Sequence, residues 1–451
     1  MLKRSHTLFV LAACFGLALA VPALAQVQPE ASGGQTVEED QDQMMTPPLL
    51  SGTIYANMSG SDIQKNVLTT AVSVNAAYVD NVLPSDTSTP VADETYSIDP
   101  HVQFDRTTAR HLMTLSYDPS YTFYTPTSVL DSFNQSAGGV FQGRVTQNVT
   151  LGVQDFFVRT SNVFDESYPF SSGGLPGSTQ TPIPAAIAPF AEQLRNVANA
   201  NGTWQFSRNG MVGGGGSFSQ YRFPNQNDSA GLFNSDGEGG SAFYSRRMTR
   251  RQYIGANYEY DRTLSFLTNL QIETQAHTLL PFYSVFFTKT FSLSAAAGPV
   301  RVDIGQPKQS DIVKWEPEVV LSMGWQGTKG NVAASFLRTV TSGGGLVGAY
   351  NSVSANLSGG WKFAHAWTAQ TSFSYQNIGL VAPLALIIYQ GGNSLMAQGA
   401  VERTLGEHVT MQFGYQRFHE QFGGIAAIAA NPDGDRGFVN VTYDLKKTLG
   451  R

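Results

Sequence analysis

The sequence predicts an all-β fold in which a closed antiparallel transmembrane β-barrel forms most of the chain. From about Asn66 to Lys446, segments of about ten residues alternate between an apolar face and a small or polar one. Tight turns separate some of these segments and longer connections separate the others. Beyond the N-terminal region no apolar run reaches the roughly 18 residues of a membrane helix. A closed barrel is the other fold that satisfies every backbone polar group in lipid.

The first 25 residues have the features of a secretory signal peptide. Lys3 and Arg4 provide a positive start, an apolar stretch runs from Thr7 to Ala20, and Ala23 to Ala25 gives an A-x-A-like cleavage site. The alternative is a lipoprotein signal ending at Cys14, but more apolar chain follows that cysteine. Cys14 is the only cysteine of the sequence. We therefore predict a mature chain without thiols or disulfides.

Residues 26–65 are acidic and polar, with Pro47 and Pro48 among them. This composition predicts a disordered periplasmic N-terminal tail, and the alternative is a small plug or a partner-binding peptide. The sequence has 28 basic and 34 acidic residues; without Lys3 and Arg4 the formal net charge is 26 − 34 = −8. We therefore expect no nucleic-acid partner. The barrel is predicted over residues 66–451.

The alternation is clear near residue 355, where Val353, Leu357 and Trp361 share one face and Ser354 and Asn356 share the other. Soluble β-sandwiches alternate as well, so other features must decide. The polar face is mostly Ser, Thr, Gln, Asn and Gly, as expected of a wet lumen. Tryptophans also fall near the ends of apolar faces: Trp315 and Trp325 are separated by roughly 25 Å along the membrane normal, and Trp361 and Trp367 belong to the same predicted aromatic girdles.

Nine hairpins give 18 strands with short periplasmic turns and long external loops. Merging the weak pair between Thr203 and Arg222 would leave 16 strands. An even number places both ends of the barrel in the periplasm. The predicted strand starts are Asn66, Asp93, Ala109, Gly138, Val149, Thr203, Met211, Gly240, Arg250, Gln271, Thr290, Lys314, Gly330, Tyr350, Ala366, Asn393, His408 and Gly434.

The last strand, Phe438 to Leu445, resembles the terminal strand of Gram-negative outer-membrane β-barrel proteins of the porin-like kind. The resemblance covers nearly the whole mature chain at the level of architecture. The sequence departs from the usual pattern because Lys446 to Arg451 follow instead of a terminal Phe. The resemblance implies Sec export to the outer membrane, contact with lipid and lipopolysaccharide, the barrel-assembly machinery as a partner, and small-molecule solutes. We expect no cofactor and no metal.

The longest connection, Thr160 to Gly202, is predicted to carry an amphipathic helix from about Ala185 to Ala198. By resemblance to porins, this third external loop folds inward and narrows the pore; the alternative is a cap across the barrel mouth. The constriction residues predicted on the helix are Ile187, Phe190, Glu192, Leu194 and Arg195.

Strand parity also predicts which charged residues face the lumen. The acidic candidates outnumber the basic ones, so we expect a mild preference for cations. The alternative is that these charges pair with one another in a plugged interior. Arg338 and Arg417 have lipid-facing parity and would meet lipopolysaccharide phosphates or extend to the interface. The lumen candidates are Asp99, His101, Asp105, Glu259, Glu273, Glu316, Glu318, Arg110, Arg144 and Lys362.

Passive passage of small solutes is the function that this pattern favours. One alternative is a barrel in a dedicated export or uptake system, such as polysaccharide secretion, with a periplasmic partner for the tail. Another is a channel for hydrophobic compounds, indicated by apolar loops at Leu380 to Tyr389 and Ile425 to Ala430. A third is a plugged structural or adhesive barrel. The histidines are scattered without a nucleophile motif, so we predict no enzymatic activity.

Overall fold

The computed structural model describes residue 44 and residues 66–82, 90–160, 192–225, 231–267, 270–305, 310–343, 345–383, 391–423 and 433–449. The predicted signal peptide and, apart from Met44, the predicted tail lie outside the described residues. Within the described ranges, no helix combines the length and apolarity required to cross a bilayer.

Eighteen strands account for most of the described chain, with one short 3-10 helix at Ser128–Leu130. The strands are β1 (Val67–Val79), β2 (Asp93–Thr107), β3 (His111–Tyr124), β4 (Ser132–Arg144), β5 (Val149–Thr160), β6 (Gln193–Ser207), β7 (Gly210–Arg222), β8 (Asn234–Thr249), β9 (Gln252–Leu267), β10 (Leu270–Thr288), β11 (Phe291–Ile304), β12 (Ile312–Gln326), β13 (Gly330–Gly343), β14 (Leu346–Ala364), β15 (Trp367–Leu380), β16 (Gly391–Leu405), β17 (Val409–Gly423) and β18 (Asp433–Thr448).

The sheet closes on itself. Every strand pairs antiparallel with the next one along the chain, and β1 pairs with β18 through thirteen residue pairs from Val67–Thr448 to Val79–Arg436. Closure removes the exposed strand edges that lipid cannot solvate. The predicted 18-stranded antiparallel barrel is confirmed.

Turns of two to four residues join the strands at one end of the barrel, which we call the short-turn end. The opposite end, called the long-loop end, carries most of the longer connections. Two connections there are short as well, because β9 ends at Leu267 just before β10 begins at Leu270, and β13 ends at Gly343 just before β14 begins at Leu346. Predicting long loops at these two places was wrong, since the paired strands extend further than their sequence alternation indicates.

The strand starts predicted at Gly138, Thr203 and Gly240 lie well inside their strands, which begin at Ser132, Gln193 and Asn234. All three strands are rich in small or polar residues near the long-loop end. Such residues give weak alternation, and the true starts are fixed by pairing with the neighbouring strands.

The helix predicted from Ala185 to Ala198 is contradicted where the chain is described, because β6 begins at Gln193. In β6 the Leu194 side chain faces outward and the Arg195 guanidinium faces inward, 5.5 Å from the ring centre of Tyr221. The β6 backbone pairs with both β5 and β7, and these pairs outweigh the helical spacing of a few apolar side chains. Glu192 precedes the strand, while Ile187 and Phe190 lie outside the described residues.

Large apolar side chains cover the outside of the barrel. Leu115, Tyr117 and Phe141, for example, are each more than 40% exposed to the surroundings. An exposed apolar belt of this kind is stable in lipid rather than water. The same face carries Trp315 and Trp325 towards opposite ends of β12, and Trp361 and Trp367 flank the turn His365–Ala366. The fold is therefore that of an outer-membrane type of β-barrel.

Candidate functional site

The lumen is the candidate functional site, and its most polar wall is formed by β2 and β3. Asp99, His101 and Asp105 alternate along the inner face of β2, and Asp118 faces inward from β3. The His101 ring contacts the Asp118 carboxylate. Asp99 accepts a hydrogen bond of 2.8 Å from Ser97 and another from Ser120. These contacts hold the carboxylates in defined positions on the wall.

Asp105 lies nearer the short-turn end of the same wall. It accepts hydrogen bonds from Gln103 Nε2 at 2.7 Å and Thr114 Oγ1 at 2.8 Å. Its partners, like those of Asp99, are neutral donors. Carboxylates that no basic side chain neutralises can attract cations into the lumen.

A second group of carboxylates lies half-way along β9 and β12. Glu318 is 6% exposed and accepts a 3.5 Å hydrogen bond from Thr278 Oγ1. It reaches Thr278 across Gly298 of the intervening strand β11, where a Cβ atom would collide with the Leu279 backbone oxygen. Glu259 accepts a hydrogen bond from Asn257 Nδ2. The described residues hold no group of His, Cys, Asp and Glu arranged to bind a metal ion.

An apolar cluster fills part of the lumen at the long-loop end. The hairpin of β13 and β14 bends inward there, so that Val347 and Ala349 are fully buried against Val302 and Ile304 of β11. Two hydrogen bonds of 2.8 Å attach the hairpin tip, from Ser342 Oγ to Thr263 Oγ1 and from the Phe233 backbone N–H to the Gly345 carbonyl. We call this segment, residues 339–350, the inward hairpin.

The inward hairpin narrows the lumen; the third long connection, which the sequence predicted to do so, lies outside the described residues between 161 and 191. Gly345 at the hairpin tip has φ +92°, a conformation that favours glycine. The loop Leu380 to Tyr389 is described only as far as residue 383, and within that part Val381 and Ala382 pack against the same apolar cluster. The apolar loop Ile425 to Ala430 lies outside the described residues.

A second apolar cluster lines the lumen near the short-turn end. It includes Phe243, Tyr253 and Phe286, and Met44 from the N-terminal region packs against it. Met44 is 7% exposed, and its backbone N–H donates a 2.9 Å hydrogen bond to Gln205 Oε1. The chain before β1 therefore has at least one residue inside the barrel.

Glu273 is not in the lumen, contrary to the sequence prediction. It lies on the outer face of β10, where its carboxylate accepts a 2.8 Å hydrogen bond from Arg262 Nε. The inward positions beside it are Ile272 and Thr274, which are 2% and 3% exposed. The inner face of β10 is apolar here because it packs under the inward hairpin. The usual rule that polar residues face the lumen therefore fails at this place.

The other predicted lumen residues have varied positions. Arg144 and Lys362 have inward parity, whereas Arg110 lies exposed in the turn Thr108–Arg110 rather than on the wall. Parity reasoning missed Asp118 on β3 and Glu402 on β16, which accepts a 3.0 Å hydrogen bond from Gln370. Both could have been found by extending the alternation of their strands.

The ladder between β12 and β13 ends before either strand does. It contains eight residue pairs and stops at Val319–Arg338. β12 stays paired with β11 as far as Ile312, and β13 stays paired with β14 beyond Ser342. In the described part of the chain, β12 and β13 thus separate towards the long-loop end. β13 follows β14 into the inward hairpin.

Two prolines explain where the separation begins. Pro317 of β12 lies opposite Pro299 of β11. Neither residue has an N–H group, so the two form a non-hydrogen-bonded pair. In such a pair the backbone N and C=O of each residue point away from the partner strand. Those of Pro317 therefore point towards β13. The backbone donor that would continue the β12–β13 ladder is therefore missing.

Two side-chain contacts cross the start of this separation: the Glu318 carboxylate accepts a hydrogen bond from Thr339, and Arg338 Nη2 pairs with Glu316 Oε2 at 3.5 Å. Arg338 shares its outward face with Val319, and Glu316 shares the inner face with Val300. The Nε atom of Arg338 is enclosed, and the described residues offer it no hydrogen-bond acceptor. Arg417 also faces outward, and it pairs at 2.7 Å with Asp435 of β18.

No known protein family and no curated protein matches the sequence. Among solved structures, the chain is similar to OccK2 (OpdF) of Pseudomonas aeruginosa, with 13% identity, a TM-score of 0.41, and coverage of 85% of this chain and 98% of that one. It is similar to OpdL of Pseudomonas aeruginosa, with 10% identity, a TM-score of 0.38, and coverage of 84% and 99%. It is also similar to the ferric citrate transporter FecA, with 12% identity, a TM-score of 0.43, and coverage of 86% and 66%.

Proposed function

We propose that this protein is an outer-membrane channel through which small hydrophilic solutes pass passively, with a preference for cations. The observation that carries the proposal is the closed 18-stranded barrel with a polar inner wall along β2 and β3. Barrels of this size enclose a lumen wider than their own side chains fill. An aqueous path beside the inward hairpin would then connect the two ends.

The charge of the inner face supports the preference for cations, because acids outnumber bases there. Rings of carboxylates lower the barrier for cation passage. The inward acids are Asp93, Asp99, Asp105, Asp118, Glu259, Asp261, Glu316, Glu318, Glu402, Glu420 and Asp444, and the inward bases are Arg144, Arg195, Arg247, Lys314, Lys362, Arg436 and Lys446.

We further propose that the chain reaches the outer membrane by Sec export and that the short-turn end faces the periplasm. The predicted signal peptide supports export, the apolar outer belt supports insertion, and the orientation follows from the short periplasmic turns typical of outer-membrane barrels. Lipid and lipopolysaccharide would surround the belt, and the barrel-assembly machinery would insert it. A periplasmic partner of residues 26–65 stays a prediction.

Planar-bilayer recordings with a potassium chloride gradient test the channel and its selectivity together. We expect discrete conductance steps and a reversal potential of the sign given by cation permeation. Asp99→Asn combined with Asp118→Asn should move the reversal potential towards zero. The matched control is Asp435→Asn, which removes a carboxylate from the outer face and should leave the reversal potential unchanged. Absence of conductance steps from folded protein would refute the channel, and anion selectivity would refute the preference for cations.

A further inference from the structure

We propose that the separation between β12 and β13 is a lateral portal between the lumen and the outer leaflet of the membrane, used by amphipathic molecules with one anionic group. We call the separation, between residues 312–317 of β12 and residues 340–343 of β13, the lateral portal. The inference rests on the channel function proposed above and adds a second route and a second class of solute.

The unpaired edge of β12 is the first argument. In hydrocarbon, each backbone N–H or C=O without a partner costs several kcal/mol. Beyond the end of the ladder with β13, the β12 residues whose backbone groups point away from β11 are Val313, Trp315 and Pro317. An edge of this length is stable only where water or another polar group reaches it. The portal therefore admits polar groups at this depth.

The depth of the portal is the second argument. Trp315 lies on the unpaired part of β12, faces outward and is 66% exposed. Exposed tryptophans on barrel exteriors lie where hydrocarbon meets the lipid headgroups. Amphipathic molecules also reside at this level, with the charged group in the interface and the chain below it. The portal thus opens at the depth where such a molecule is held.

Part of the inner side of the portal is apolar, which is the third argument, while Lys314, Glu316 and Glu318 also face inward from β12. Val340 of β13 and Ile312 of β12 pack against the cluster that contains Val347 and Val302. An alkyl chain that passes between the strands would contact these side chains rather than water. The carboxylate wall of β2 and β3 has the opposite character and suits hydrophilic solutes.

Arg338 gives the portal its preference for an anion. Its guanidinium has five N–H donors, its side chain is 40% exposed, and Nη2 pairs with Glu316. A carboxylate, sulfonate or phosphate group could accept from the remaining donors. Because Arg338 and Glu316 are both partly exposed, the ion pair between them is weak enough to be exchanged.

The first experiment joins the strands covalently. Pro317→Cys and Val340→Cys would lie opposite each other if the ladder continued by two more pairs, and Cys14 of the predicted signal is the only native cysteine. The double variant is reconstituted in liposomes that enclose albumin, and the probe is a fluorescent alkylsulfonate added outside. This probe stays charged and crosses pure lipid slowly, and albumin captures what arrives.

Joining the two thiols with a short bis-maleimide should reduce alkylsulfonate arrival severalfold, to the amount that the open lumen alone admits. Swelling of the same liposomes in a small sugar should not change, since the lumen stays open. Unchanged alkylsulfonate arrival after cross-linking would overturn the portal. Loss of sugar swelling before cross-linking would instead refute the proposed channel, so the two failures are distinguishable.

The second experiment tests the role of Arg338 through the single variant Arg338→Gln. Alkylsulfonate arrival should fall about tenfold, the loss expected for a charge-assisted hydrogen bond. Arrival of a neutral alkyl glycoside of equal chain length should not change. Arg417→Gln is the matched control, because Arg417 also faces outward towards the long-loop end but lies away from the portal. Equal losses in both variants, or equal losses for both probes, would show that Arg338 does not select the anion.

Discussion

Val347 is the residue through which the inward hairpin can be tested most directly. It is fully buried in the apolar cluster against β11. Val347→Asp would remove about 2 kcal/mol of apolar burial and would bury a carboxylate in an apolar cluster, at a further cost of at least about 1–3 kcal/mol. The two hydrogen bonds that attach the hairpin tip contribute about 1 kcal/mol each. The substitution therefore costs more than these two hydrogen bonds contribute, and the released state of the hairpin should become more populated.

Planar-bilayer conductance measures this release. Val347→Ala loses about 1.5 kcal/mol of apolar burial, and Val347→Thr keeps the side-chain shape but buries a hydroxyl group. The barrel should therefore spend more time in a larger conductance state in these two variants than in wild type. Val347→Asp should show the largest increase. A shift of about 3 kcal/mol changes the ratio of released to docked hairpin more than a hundredfold. Thr368→Asp is the control, because it adds the same charge to the inner face of β15, near the short-turn end.

Thiol labelling gives an independent measure of the same release. Ser342→Cys at the hairpin tip should react faster with an impermeant maleimide when Val347→Asp is also present. Wild-type conductance from a Val347→Asp barrel that retains its folded mobility on gels would refute the reasoning. It would mean that the hairpin does not limit the lumen.

Two further predictions concern packing. Gly298→Ala should lower the free energy of unfolding by about 2 kcal/mol, because the new Cβ would collide with the Leu279 backbone oxygen. The control is Gly399→Ala, whose new Cβ would meet nothing within 4 Å and whose free energy of unfolding should stay within about 0.5 kcal/mol of wild type. Equal urea midpoints for the two variants would contradict this prediction. Met44→Asp should displace this part of the chain from the apolar cluster at a cost of about 2 kcal/mol. A cysteine in place of Gln205 should then react faster with a thiol label. An unchanged labelling rate would contradict the contact.

The period of the sequence was sufficient to predict the barrel and much of its inner face. Lipid outside and water inside impose opposite demands on alternate residues, so Asp99 and Asp105 on β2 and Glu318 on β12 could be assigned by parity alone. The structure places all three on the inner face. The number of strands followed because each alternating segment must pair on both sides to close the barrel.

Parity failed where the lumen is not wet. Glu273 was assigned inward because it is polar, but Ile272 takes the inward position under the inward hairpin, and Glu273 pairs with Arg262 outside. Contacts between β14 and the inner face of β11 join residues far apart in sequence and leave no periodic signal. Leu194 and Arg195 illustrate a different error. Their amphipathic spacing predicted a helix, but both belong to β6, whose pairing with distant strands the local sequence does not reveal.

The ladder between β1 and β18 also dictates an order of events during folding. Its partners are more than 350 residues apart, and bringing the ends of such a chain together costs about 5 kcal/mol of entropy. Until β18 exists, β1 has no partner on one side, and a truncated chain would present that side to any other strand available. The final strand thus closes an open sheet, which would associate with other copies of the chain, into a barrel that lipid can surround. Ser73 and Thr442, joined at 2.7 Å across the seam on the lumen side, mark where the first strand meets the last.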